Sequence, residues 1–127
     1  MHITLDGCVT EHKALLYHEA SLAGFLVLAA EHLGMQRVGN PYVVCYPVER
    51  SKVAGLSGVQ FLAESSITAH TYPEIDFIYL DLFSCKFIDS SGVQRIRGYL
   101  GLKGHTCKVS ETRGDISLLE VSHGRWR

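Results

Sequence analysis

Apolar and polar residues alternate from His2 to Leu5, the period of a short strand. Helical spacing follows at Leu15, Leu22, Leu26, Ala29 and Leu33, with Thr10 as a candidate cap and Gly34 as the stop. Leu22 to Ala30 is apolar nearly all round, which predicts packing on a sheet and contact with a second surface. Tyr42 to Tyr46 is rich in strand formers and ends at Pro47, whereas Val48 to Leu56 has the small and charged composition of a loop. Gly58 to Ala63 and Ile67 to Thr71 predict two further strands. Phe77 to Phe83 is interrupted only by Asp81, the pattern of a strand covered on both faces. Asp89 or Ser90 can cap a second helix through Leu102, with Val93, Ile96 and Leu100 on one side, ending near Gly104. His105 to Ser110 returns as a strand, and after Gly114 a short mixed tail carries Trp126, poorly ordered or packed on a neighbour.

This order predicts an α+β domain, a two-layer sandwich of a largely antiparallel sheet with two helices on one face. The other face needs cover. The apolar run Phe77 to Phe83 therefore predicts a homodimer, formed through the sheet side or a shared edge.

At 127 residues and 46% apolar composition, the chain fits a single domain spanning 1–127. A net charge of −1, with the basic residues scattered, predicts no nucleic-acid partner and no anionic membrane surface. Ala20 to Ala30, between Glu19 and Glu31, falls short of the about twenty residues that span a bilayer. Cys8, Cys45, Cys85 and Cys107 lie far apart, without CxxC spacing or a secretory signal ahead of them, which predicts reduced thiols and a cytoplasmic setting. Cys8, Cys45 and Cys107 are expected to pack. His12, His18 and His32 do not share a helical face as ligands, and no metal is expected.

Chemistry concentrates between Glu64 and Cys85. A serine after an acidic residue, with an imidazole five positions on and a thiol beyond, supplies a nucleophile, a base and a proton donor. The Ser65 hydroxyl could attack the carbonyl before it and cut the chain between Glu64 and Ser65. Taken singly each residue has a structural reading: Ser65 as a strand-end hydroxyl, His70 as a satisfied core histidine, Cys85 as a small buried hydrophobe.

Ala63-Glu64-Ser65, His70-Thr71-Tyr72-Pro73-Glu74 and Asp81-Leu82-Phe83-Ser84-Cys85, with Ser57-Gly58 ahead of them, resemble the prokaryotic S-adenosylmethionine decarboxylases. The likeness extends over nearly the whole chain; the central motif is specific and the flanks are weak. It implies a proenzyme that cleaves itself into 1–64 (a β chain) and 65–127 (an α chain), Ser65 becoming a pyruvoyl cofactor that forms a Schiff base with an amino-acid-type substrate. It further implies Ser57 as oxyanion donor, His70 as the base that takes the Cα proton of the esterified serine, and Cys85 as the thiol that protonates the substrate carbon. Glu74 is implied as a substrate contact, and cleaved protomers are implied to pair as a homodimer with helices outside. The activity implied is a lyase of polyamine biosynthesis that supplies the aminopropyl donor for spermidine.

The chain departs from the family at Ser66, where histidine is common, and at Tyr72, where tryptophan is common. Tyr72 still offers an aromatic face for adenine. The loop after Tyr46 is a few residues longer and adds Glu49, Arg50 and Lys52, with Tyr46 as the candidate replacement for a substrate-facing aromatic. These changes keep two alternatives open: a pyruvoyl-dependent L-ornithine or L-arginine decarboxylase, and an uncleaved, inactive homologue acting as a binding or regulatory subunit.

Overall fold

The structure, a computed structural model, describes residues 1–47, 54–112 and 118–124, with side-chain detail to residue 46 and from 55 to 104. Seven strands form one antiparallel sheet: β1 (His2–Cys8), β2 (Tyr42–Pro47), β3 (Ala54–Leu62), β4 (Ser65–Tyr72), β5 (Phe77–Ser84), β6 (Lys103–Thr112) and β7 (Leu118–Gly124). Their order across the sheet is β2-β3-β4-β5-β1-β6-β7, so the first strand of the chain lies inside the sheet, between β5 and β6. Helices α1 (Glu19–His32) and α2 (Ser90–Leu100) belong to the layer on one face.

Strand alternation explains the core. Ile3 and Leu5 of β1, Ile67 and Ala69 of β4, and Ile78, Leu80 and Leu82 of β5 point to the helices and are buried. Leu22, Phe25, Leu26 and Ala29 of α1 meet Val93, Ile96 and Leu100 of α2 in the same cluster. Each large side chain contributes about 1.5–3 kcal/mol on burial. Gly58 lets α1 approach β3 closely, since a Cβ there would stand 3.0 Å from Leu26 Cδ1.

Several expectations change. The first helix is not continuous from Thr10: a 3-10 turn at Lys13–Leu16 precedes α1, whose N-cap is His18 in an extended conformation. The predicted loop from Val48 overlaps β3, which begins at Ala54 because its ladder with β2 runs on to the Pro47–Ala54 pair. The tail forms β7, paired with β6. Cys8 and Cys45 are exposed rather than packed, at the end of β1 and on the edge strand β2; the side chain of Cys107 lies outside the described residues. Glu49, Arg50, Lys52 and Trp126 also lie outside them. β5 is covered on one face only, because both helices lie on the same side, and Phe83 is 50% exposed.

Candidate active site

Two side-chain clusters form on the β3–β4 hairpin, one at each end. Leu62 pairs with Ser65, so Ala63 and Glu64 are the two residues of a tight turn. Such turns commonly call for Gly or Asn because a positive φ is needed. Here Glu64 takes the left-handed conformation at φ 58°, at a cost of roughly 1–2 kcal/mol for a residue with a Cβ. The Glu64–Ser65 peptide bond is therefore the exit of a strained turn.

Ser65 opens β4 with its side chain turned to the helix layer, 8% exposed. Ser84 stands opposite it in the β4/β5 ladder. The two hydroxyl oxygens are 3.5 Å apart, and the Cys85 amide N–H points to Ser65 Oγ at 3.4 Å. These contacts are long for hydrogen bonds, but both converge on one oxygen. Ser84 Oγ also accepts the Lys86 amide N–H at 2.9 Å, which bends the chain after β5. Cys85 is exposed in that bend, with its thiol one residue from the buried pair.

The second cluster is on the open face. Ser57 pairs with His70, and Ser57 Oγ lies 2.8 Å from His70 Nδ1. That bond occupies one ring nitrogen and leaves Nε2 for proton transfer. Tyr42, Val44, Val59 and Thr68 surround the pair and form a hollow of about 190 Å³. A site for a drug-sized molecule commonly needs about 300–1,000 Å³, so this hollow by itself is smaller than that.

Tyr46 and Tyr72 lie further along β2 and β4. The Tyr46 hydroxyl donates to the Thr71 carbonyl at 2.6 Å, and its ring crosses Gly55, where a Cβ would meet it and the Thr71 carbonyl. Burial, followed by the nearby Tyr72 and Cys45, raises the Tyr46 phenol above its ordinary pKa. Tyr72 packs edge-on against Phe77, ring centroids 5.9 Å apart. Glu74 follows on an exposed 3-10 turn, Pro73–Ile75.

The structure thus brings Ser65 together with Cys85, and Ser57 with His70, but does not join the two pairs within one chain. Ser65 and His70 are five strand residues apart, roughly 17 Å at 3.3–3.4 Å each. Their side chains also leave opposite faces, Ser65 inward and His70 outward. Sequence reasoning missed Ser84, although it closes the inward stripe Ile78, Leu80, Leu82 with a polar residue beside Cys85.

Residues 1–112 match the family model described as S-adenosylmethionine decarboxylase. A Methanococcus vannielii protein named S-adenosylmethionine decarboxylase proenzyme is 30% identical over 125 residues, 94% of this chain and 93% of that protein. A Prochlorococcus marinus protein of the same name is 33% identical over 84% of this chain and 82% of its own. The crystal structure of the adenosylmethionine decarboxylase from Aquifex aeolicus superposes with a TM-score of 0.64 at 21% identity, covering 84% of this chain and 83% of that one, and shares the fold.

Proposed function

Because this chain belongs to the S-adenosylmethionine decarboxylase family, we propose that it decarboxylates S-adenosylmethionine for polyamine synthesis, after cutting itself at Glu64–Ser65 into chains 1–64 and 65–127. The observation that carries this reading is the strained turn: a left-handed Glu64 followed by a buried serine whose Oγ faces a backbone N–H. The reading rests on geometry at Ser65 and on the family.

In processing, Ser65 Oγ adds to the Glu64 carbonyl carbon and the amide becomes an ester. Ser57 donates to the oxyanion that forms at the Glu64 carbonyl during this shift; His70 then takes the serine Cα proton, the Cβ–O bond breaks to release the Glu64 carboxylate, and water hydrolyses the resulting dehydroalanine to pyruvoyl and ammonia. Since His70 cannot reach Ser65 of its own chain, the turn end of one hairpin meets the Ser57–His70 pair of a second protomer. A two-fold axis near the middle of β4 exchanges the two ends and creates two equal sites. Tyr42, Phe61 and Phe83, all half-exposed or more on the open face, supply apolar area for that contact.

The pyruvoyl group that Ser65 yields supplies a carbonyl electron sink for loss of carbon dioxide. Around it, the Cys85 thiol returns a proton to the substrate carbon, Tyr46 and Tyr72 offer flat faces to the purine, and Glu74 receives a positive group.

Intact mass under denaturing conditions tests the first half: wild type gives two chains, the second lighter by one ammonia than its serine form, and Ser65→Ala gives one. Release of labelled carbon dioxide tests the second half, and is expected from carboxyl-labelled S-adenosylmethionine and not from ornithine or arginine. A wild-type chain that stays whole after prolonged incubation would sink the reading.

A further inference from the structure

Ser84 is 1% exposed, at the end of a stripe that is otherwise aliphatic. Packing alone does not call for a hydroxyl there, and a buried hydroxyl is unfavourable unless it is hydrogen-bonded. Its partners are the Lys86 amide at 2.9 Å and Ser65 Oγ at 3.5 Å. The first fixes the Ser84 oxygen in space. The second directs it at the nucleophile.

We propose that Ser84 is a positioning residue for self-cleavage, holding the Ser65 hydroxyl in the orientation from which Oγ reaches the Glu64 carbonyl. The proposal rests on the processing reading above. A serine hydroxyl has one proton and two acceptor lone pairs. At 3.4 and 3.5 Å both contacts are long, and a small turn of the Ser65 hydroxyl lets the Cys85 N–H take one lone pair of its Oγ while Ser84 Oγ accepts from its proton. One lone pair is left, and it belongs to the attack. In that step the Oγ–C bond forms at Glu64, the C–N bond to Ser65 breaks, and the Oγ proton ends on the freed amine. No oxidant or second reactant enters, and Ser84 keeps no proton.

The test follows cleavage of freshly made full-length chain by mass in wild type, Ser84→Ala, Ser84→Thr and Ser84→Val. One hydrogen bond of about 1–1.5 kcal/mol corresponds to a rate loss of roughly 5–10-fold. Ser84→Ala and Ser84→Val should slow by that factor, and Ser84→Thr should stay close to wild type. Thr and Val share a shape, so a difference between them reports the hydroxyl and not the packing. Hydroxylamine, which cleaves esters, should add no fragments to those that Ser84→Ala makes on its own, because the slowed step precedes the ester and none accumulates. It should release them from His70→Ala, blocked after it. Wild-type rates in Ser84→Val, or a hydroxylamine-labile ester accumulating in Ser84→Ala, would overturn the role of Ser84 while leaving the processing reading intact. A wild-type chain that never cleaves would overturn both.

Discussion

Tyr46 ties the edge strand β2 to β4 across Gly55, through one hydrogen bond to the Thr71 carbonyl. Burial raises its pKa, so the folded phenol keeps its proton above pH 10.0, where the unfolded one has begun to lose it. The stabilisation is fully present below pH 10.0 and is lost as pH climbs through the higher folded value. Tyr46→Phe should therefore cost about 1 kcal/mol at neutral pH, and the gap to wild type should narrow above pH 10.0. Urea midpoints on both sides of that pH measure it; a constant gap would mean that the phenol bond carries no stability. At this scale the sequence was informative about identity and blind to direction. Ser57, Ser65, His70 and Cys85 were all legible as chemical groups. That Ser65 faces inward and His70 outward follows from an odd spacing on one strand, which becomes readable only once β4 is known to start at Ser65. Ser84 was hidden because a lone serine beside a cysteine has no signature of its own.

The helix layer depends on one close approach. Gly92, in the first turn of α2, sits where an added Cβ would stand 2.7 Å from the His32 carbonyl oxygen at the end of α1. The same carbonyl accepts Arg95 Nη2 at 2.7 Å, so the two helices meet through backbone. Gly92→Ala should destabilise, because overpacking costs about 1–3 kcal/mol against the roughly 1 kcal/mol that Ala gains over Gly in a helix. Gly98→Ala, with nothing within 4 Å of its new Cβ, should stabilise. Thermal melts of the pair read the opposite signs. The elements themselves were largely legible: six of the strands and both helices follow from periodicity and caps. The break at Tyr17 was not, since the 3-10 turn keeps the same apolar side chains inward, with Leu15 and Leu16 buried. β7 was not either, because a mixed polar strand at a sheet edge has little alternation to show.

For the whole molecule, the separation of Ser65 from His70 makes a sharp prediction about assembly. Ser65→Ala and His70→Ala chains, each inactive alone, should recover activity when made together. In a mixed pair, the intact Ser65 of one chain meets the intact His70 of the other, while the second site is doubly damaged. If each site were built within one chain, mixing would restore nothing; decarboxylation by co-expressed and singly expressed chains, compared at equal protein, decides it. Spacing alone hid this separation, since residues close in sequence stand at two ends and on two faces of β4. Strand order has one more consequence. Residues 1–64 contribute β1, β2 and β3, and residues 65–127 contribute β4 to β7, yet β1 lies between β5 and β6. A cut at the turn leaves one piece threaded through the other, joined along the β3/β4, β1/β5 and β1/β6 ladders. The nicked protein would thus hold its two polypeptides as a mortise holds its tenon, with no crosslink needed, and would release them only by melting the middle of the sheet.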